Sequence, residues 1–108
     1  MVEEISAHDL AERLRSEGSE ALTLLDVRED DEREFAAILP SVHVPMGEIV
    51  DRVETLSKDR PIVVYCHHGG RSSMVAHFLE DRGFERVFNL SGGIDAWSDQ
   101  VDPKVPRY

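Results

Sequence analysis

The run PIVVYC at residues 61 to 66 is the sequence feature that most constrains the fold. It is apolar throughout and rich in β-branched residues, whereas a strand with one solvated face alternates apolar and polar residues. A continuous apolar run of this length is typical of a strand that is covered on both faces, as in a parallel sheet. The sequence therefore predicts a central buried strand, and the residues that follow it lie at its carboxyl end, where such sheets bind ligands.

Further short elements alternate along the rest of the chain. Apolar runs predict the strands, and apolar spacing together with capping residues predicts the helices. The predicted strands are 22–27, 41–44, 61–66 and 86–90, and the predicted helices are 7–17, 30–38, 46–56, 71–82 and a short one beginning at Gly93. Because strands and helices alternate, we expect one α/β domain over residues 1 to 108, with a polar tail from about residue 98.

Charge and cysteine content narrow the setting in which the chain acts. Twelve Lys and Arg residues stand against 22 Asp and Glu residues, and the formal charge of −10 disfavours nucleic acid and anionic membranes as partners. No leader is recognisable, and no apolar run approaches the ~20 residues that cross a bilayer. The only cysteine, Cys66, has no internal disulfide partner, so we expect a soluble protein of the reducing cytoplasm.

The loop CHHGGRS, residues 66 to 72, carries the chemistry. If Cys66 ends the central strand and a helix begins near Arg71, the chain must bend sharply, and Gly69 and Gly70 permit the positive φ of such a bend. Successive amides then turn inward, and the following helix adds its own unpaired N–H groups. Since these donors favour thiolate over thiol, we predict that Cys66 is a nucleophile with a lowered pKa.

The other side chains of this loop admit more than one interpretation. Arg71 either directs its guanidinium at an anionic donor, or holds the shape of the loop, or only begins a surface helix. His67 and His68 are consecutive with Cys66, so we expect their side chains to diverge and to bind a tetrahedral metal poorly. Each histidine is either a base or a residue that tunes the local charge. We expect neither a metal nor another cofactor, and we interpret His43 as structural.

The succession of sequence blocks resembles a single-domain rhodanese, a member of the thiosulfate sulfurtransferase family, over nearly the whole chain. The blocks are LLDVRE (24–29), VPMGEI (44–49), KDRPIVVYC (58–66), CHHGGRS (66–72), LEDRGFERVFNLSGGIDAW (79–97) and VDPKVPRY (101–108). The resemblance implies a five-stranded parallel sheet flanked by helices. It also implies that Cys66 carries a persulfide as the covalent intermediate of a transferase.

By the same resemblance, Cys66 attacks the outer sulfur of thiosulfate or of a persulfide donor and releases sulfite or a thiol. The sulfur then passes to cyanide, to a thiol acceptor or to a sulfur-accepting protein. The residues implied to surround the persulfide are His67, His68, Gly69, Gly70, Arg71 and Ser72. Asp26 and Arg28 match the DVR block and are implied to support the loop. The alternative for that pair is an ordinary turn with a surface ion pair.

Two departures from the family and two competing functions stay open at this point. His67 and His68 stand where the family often has Arg-x-Gly, and ILPSVHVP (38–45) replaces the usual Gly-His-Ile-Pro-Gly-Ala block. Phosphatases and arsenate reductases hold five residues between Cys and Arg, whereas this chain has four. Rhodanese-like binding or regulatory modules commonly lack the cysteine. Trp97 and the terminal PRY are either core filler and a packed tail, which is the interpretation we favour, or part of an interface.

Overall fold

The structure, a computed structural model, describes residues 1 to 108 and contains one wholly parallel sheet of five strands. The strands are β1 (Glu3–Ile5), β2 (Thr23–Asp26), β3 (Val42–His43), β4 (Ile62–Tyr65) and β5 (Val87–Leu90). Their spatial order is β1-β5-β4-β2-β3, so β4 is the central strand, as its continuous apolar sequence predicts. The predicted fold class, an α/β domain with a five-stranded parallel sheet, is confirmed.

Four helices connect the strands, and a fifth follows β5. They are α1 (Ala7–Glu17), α2 (Asp30–Phe35), α3 (Ile49–Arg52), α4 (Gly70–Asp81) and α5 (Gly93–Gln100). The predicted capping residue of α1 is confirmed, because the Ser6 side chain accepts a hydrogen bond from the amide of Asp9 at 3.0 Å. None of these helices has the length and apolar character that spanning a bilayer requires.

Alternate residues of β4 enter two separate cores, because successive side chains of a strand point to opposite faces of the sheet. Ile62 and Val64 join one apolar cluster with side chains of α3 and α4. Val63 and Tyr65 join the other cluster with side chains of α1 and α5. This division explains why the strand has no polar positions, and it places the end of β4 between two layers of helices.

The predicted elements omit one strand and give two helices the wrong extent. Strand β1 was not predicted, because Glu3 and Glu4 are exposed and only Ile5 is buried. The single helix predicted for residues 46 to 56 is instead a 3₁₀ turn, the short helix α3 and a second 3₁₀ turn. The acidic helix predicted to reach residue 38 ends at Phe35, after which the chain is extended at Ala36.

Candidate active site

Cys66 lies directly at the carboxyl end of the central strand β4, and α4 begins four residues later. Its Sγ accepts hydrogen bonds from the amides of Gly69 at 3.1 Å and Ser72 at 3.4 Å. The residue is only 1% exposed, and apolar side chains such as Val75 contribute to the same cluster. The sulfur therefore has apolar groups on one side and backbone N–H donors on the other.

The electrostatics of this position favour the thiolate. Burial alone would raise the pKa of Cys66, but hydrogen bonds from Ser72 and Gly69 and the charge of Arg71 outweigh it, so the pKa lies below its ordinary value. A lowered pKa increases the fraction of thiolate at neutral pH, and the thiolate is the nucleophilic form. The chemistry available to this site is thus nucleophilic attack by sulfur.

The pH dependence of alkylation should report this shift. We expect the rate of Cys66 alkylation by iodoacetamide to reach half its maximum below about pH 8.5, the ordinary value for a cysteine. The sign follows from the lowered pKa, because thiolate forms as the pH rises through it. The urea-unfolded chain is the control and should show the ordinary midpoint. Equal midpoints for the folded and unfolded chain would contradict the prediction.

The hydroxyl of Ser72 links the sulfur to β5. Ser72 Oγ lies 3.3 Å from Cys66 Sγ and 2.6 Å from Oδ1 of Asn89. A hydroxyl has one hydrogen, so it donates to only one of these two atoms at a time. The amide nitrogen of Asn89 donates to both carboxylate oxygens of Glu4 and to the carbonyl of Gly69, which directs Oδ1 at Ser72. Strands β1 and β5 thereby help to fix the loop beside the sulfur.

Only one of the two loop glycines has the predicted left-handed backbone. Gly69 has φ of +117°, whereas Gly70 has no positive φ and a Cβ there would meet nothing within 4 Å. The prediction that both glycines make the bend is therefore wrong for Gly70. A third glycine matters instead, because a Cβ on Gly93 would lie 2.4 Å from the carbonyl oxygens of both Cys66 and His67.

Arg71 holds the loop against α2. Its guanidinium donates two hydrogen bonds to the carboxylate of Glu32, at 2.7 and 3.0 Å. These hydrogen bonds, opposed by partial burial, lower the pKa of Glu32 to about 2, so the pair stays ionised. Of the interpretations considered, holding the loop's shape fits this geometry, and a helix start without a partner does not.

Asp26 and Arg28 form an ion pair with no exposed side-chain surface, so the alternative of a surface pair is wrong. Arg28 donates to both carboxylate oxygens, at 2.9 and 2.8 Å, and to the carbonyl of Ala36 at 2.6 Å. Burial alone would raise the pKa of Asp26, but the hydrogen bonds from Arg28 lower it. His43, whose Nε2 lies 2.8 Å from the Arg28 carbonyl, braces the same turn. Neither member of the pair has a hydrogen bond to Cys66, and their contacts fix the turn that follows β2.

The side chains of His67 and His68 do not diverge, contrary to the prediction. Their ring centroids are 3.9 Å apart, and one ligand atom from each lies within 4.8 Å of an Asp95 carboxylate oxygen. These three side chains could offer three ligands to a divalent cation. However, both oxygens of Asp95 already accept hydrogen bonds from Arg107, at 3.0 and 3.2 Å. Asp95 therefore serves as the anchor of the C-terminal segment in this structure.

Tyr108 also lies at the site, although its segment PRY was interpreted as a packed tail. Its ring stacks on His67 with centroids 3.9 Å apart and planes inclined by 6°. Its hydroxyl donates to Glu32 at 2.8 Å and accepts from Arg28 at 2.9 Å. Burial, partly offset by Arg28, raises the pKa of Tyr108 to about 12, so the hydroxyl keeps its proton. Trp97, by contrast, is buried in the core, as predicted.

Sequence reasoning thus missed several residues that shape the site. They are Glu32, Asn89, Gly93, Asp95 and Tyr108. The pair Gly92-Gly93 was a usable signal, since two glycines at a helix start suggest close backbone approach. Nothing in the sequence indicated that Glu32, Asp95 or Tyr108 would contact the loop.

Comparison with known proteins places this site in a family. Residues 6 to 100 match the family described as Rhodanese-like domain. YtwF of Bacillus subtilis (strain 168), whose name proposes a sulfurtransferase, is 42% identical over 103 residues, which cover 95% of this chain and 97% of the relative. A Coxiella burnetii protein named thiosulfate sulfurtransferase GlpE is 36% identical over 76 residues, which cover 70% of this chain and 71% of the relative. The crystal structure of a rhodanese-related protein from Thermoplasma volcanium superposes with a TM-score of 0.84 and 33% identity, covering 98% of this chain and 99% of that one.

Proposed function

The chain belongs to the rhodanese-like domain family, and from that premise we propose that it is a sulfurtransferase whose Cys66 carries the transferred sulfur as a persulfide. The observation that carries the proposal is the sulfur of Cys66 facing the amides of Gly69 and Ser72 at the end of the central strand. Relatives named sulfurtransferase support the reaction class. The arrangement supplies a nucleophile and donors for the charged sulfur that forms on it.

The reaction consists of two displacements at sulfur. In the first, the Cys66 thiolate forms a bond to the outer sulfur of the donor, and the donor's own sulfur–sulfur bond breaks. Sulfite leaves if the donor is thiosulfate, and a thiolate leaves if the donor is a persulfide. In the second, cyanide or an acceptor thiolate takes the outer sulfur, and Cys66 returns to its thiolate form. In each step the nucleophile's lone pair forms the new bond and the pair of the broken sulfur–sulfur bond leaves with the departing group, so no external oxidant or reductant is needed.

The loop supports this reaction through its backbone and its shape. The amides that face Sγ donate to the negative charge, which moves to the outer sulfur when the persulfide forms. The two hydrogen bonds from Arg71 to Glu32 hold the loop against α2. The buried pair of Asp26 and Arg28 supports the same edge of the sheet. The residues proposed to contact the transferred sulfur are the backbone of residues 67 to 72 and the hydroxyl of Ser72.

Charge points to a weak interaction with free thiosulfate. The net charge of −10 repels a dianion, although salt screens that field over about 8 Å. Arg71, the one Lys or Arg of the loop, is already paired with Glu32. We therefore propose that thiosulfate is a donor with a high KM and that the persulfide of a small thiol is a better one. A cytoplasmic location is part of the proposal, because a reducing compartment keeps a lone thiol reduced.

Persulfide formation can be tested by intact mass spectrometry. After incubation with thiosulfate, we expect the chain to gain the mass of one sulfur atom, and after addition of cyanide we expect to see that mass disappear. Because Cys66 is the only cysteine, the adduct needs no further localisation. A control sample whose thiol is first blocked with iodoacetamide should gain no sulfur. No sulfur gain in the unblocked chain with either thiosulfate or a small persulfide would reject the proposed function.

A further inference from the structure

Tyr108 occupies the gap between α2 and the loop that follows β4. Its ring lies flat on His67, the residue next to Cys66, and its hydroxyl is bonded to Glu32 of α2 and to Arg28 after β2. The edge of the ring also meets Phe35, with centroids 5.8 Å apart. Tyr108 is thus fixed by contacts to three different parts of the fold, and it forms a wall at the side of the catalytic loop.

The nucleophile is covered in this arrangement. Cys66 is 1% exposed, so a donor reaches its sulfur only after a neighbouring group moves. The loop backbone is firmly held, because the amides of Ile94 and Asp95 donate to the carbonyls of Cys66 and His67 at 2.9 and 3.1 Å. Tyr108, by contrast, belongs to an irregular segment that is held at this edge by its side chains. Its displacement therefore breaks side-chain contacts but no hydrogen bond of a helix or strand.

From these contacts we propose that Tyr108 is a specificity-determining residue, whose ring narrows the approach to Cys66 and favours small sulfur donors over donors of peptide size. The inference rests on the proposed sulfur transfer and adds the substrate class to it. A small donor needs only a slight shift of the ring. A bulky donor must displace it and break the His67 stack together with the hydrogen bonds to Arg28 and Glu32, both of which are charged.

The segment before Tyr108 explains why the ring returns to the same place. Arg107 is paired with Asp95 and Asp99 of α5, and Val105 packs against the core cluster on that face of the sheet. These contacts tether the end of the chain near the loop even when the ring is displaced. Access for a bulky donor is consequently an equilibrium between the stacked and displaced positions of one side chain.

The test compares two donors that differ in size. Intact mass over time gives the rate constants of Cys66 persulfidation by thiosulfate and by glutathione persulfide, a tripeptide donor. In Tyr108→Ala we expect the ratio of the glutathione persulfide rate to the thiosulfate rate to rise at least about tenfold, which corresponds to about 1.4 kcal/mol. Tyr108→Phe keeps the ring and should show a smaller rise. Lys104→Ala, an exposed change in the same segment, should leave the ratio unchanged. Tyr108→Ala leaves the net charge unchanged, and Tyr108→Phe measures the effect of losing the hydrogen bonds to Arg28 and Glu32 while the ring remains.

Alkylation gives a second readout that does not depend on sulfur transfer. The ratio of Cys66 modification by a fluorophore-bearing maleimide to that by iodoacetamide should rise in Tyr108→Ala by a similar factor. If that ratio and the donor ratio both stay at the wild-type value, the inference is wrong. If neither donor transfers sulfur but the alkylation ratio rises, control of access stands and the proposed function fails. Circular dichroism establishes that each variant is folded before its ratio is measured.

Discussion

Replacement of Cys66 by serine is expected to abolish sulfur transfer from thiosulfate to cyanide. A serine hydroxyl is almost wholly protonated at neutral pH and forms no persulfide, so the proposed mechanism loses the nucleophile of its first displacement and the leaving group of its second. Thiocyanate formation should fall to the rate measured without enzyme, and the sulfur adduct should be missing from the intact mass. The wild-type chain assayed under the same conditions provides the reference.

The same variant should keep its fold. Serine is smaller than cysteine and can still accept hydrogen bonds from the amides of Gly69 and Ser72, so thermal unfolding should change little beyond the cost of burying a hydroxyl. Loss of activity with an intact fold would assign the chemistry to the sulfur. Full thiocyanate formation by Cys66→Ser would show that the transfer proceeds by a route that needs no cysteine.

Local sequence was enough to predict the central strand and the loop that follows it. The sequence of β4 is continuously apolar because its alternate residues enter two cores. A strand with one solvated face would alternate apolar and polar residues. The helix after the loop was predicted from residue 71, and α4 begins at Gly70. The position of Cys66 between these two elements follows from their adjacency in sequence.

Elements that depend on tertiary packing were not predictable in the same way. β1 contributes one buried side chain, Ile5, and is a strand because it pairs with β5, whose sequence position is remote. The segment from 46 to 56 has apolar residues at three- and four-residue spacing, which suits 3₁₀ and α geometry equally, since these helices have about 3.0 and 3.6 residues per turn. The spacing of apolar residues therefore does not indicate that the segment divides into a 3₁₀ turn, α3 and a second 3₁₀ turn.

Within the site too, contacts between residues close in sequence were predictable, whereas contacts between distant residues were not. The amides around Sγ come from residues within six positions of Cys66. The partner of Arg71 is Glu32, 39 positions away, and Arg28 donates to Tyr108, 80 positions away, as well as to Asp26. The acidic composition of α2 offered several carboxylates, and nothing in the sequence distinguished Glu32 from its neighbours. A charged residue's partner is decided by the fold, so it had to be read from the structure.

The loop after β4 is also held by the start of α5, and this contact leads us to expect a large effect of substitution at Gly93. The amides of the loop point toward the sulfur, while the carbonyls of Cys66 and His67 point toward the start of α5 and accept from Ile94 and Asp95. A loop whose carbonyls are held outward is free to direct its amides inward. Close approach of α5 to these carbonyls is possible because Gly93 has no side chain.

Gly93→Ala should therefore destabilise the fold and disturb Cys66 together. Gly93 has φ of +59°, and its added Cβ would lie 2.4 Å from two carbonyl oxygens. A left-handed alanine costs roughly 1–2 kcal/mol, and overpacking costs roughly 1–3 kcal/mol. We expect the free energy of unfolding, measured with urea, to fall by about 2–5 kcal/mol. The alkylation midpoint of Cys66 should move toward that of the unfolded chain, because the amides move with the carbonyls.

Substitutions at two other glycines serve as controls for the backbone cost and the overpacking cost of Gly93→Ala. Gly18 has φ of +88° and ψ of 159°, a backbone region used almost only by glycine, and nothing lies within 4 Å of an added Cβ, so Gly18→Ala shows what backbone strain costs without a clash and away from the site. Gly47 has neither a positive φ nor a close neighbour, so Gly47→Ala should stay within about 0.5 kcal/mol of the wild type. Both controls should keep the Cys66 alkylation midpoint of the wild type. If Gly93→Ala keeps that midpoint as well, the start of α5 does not set the geometry of the loop around Cys66.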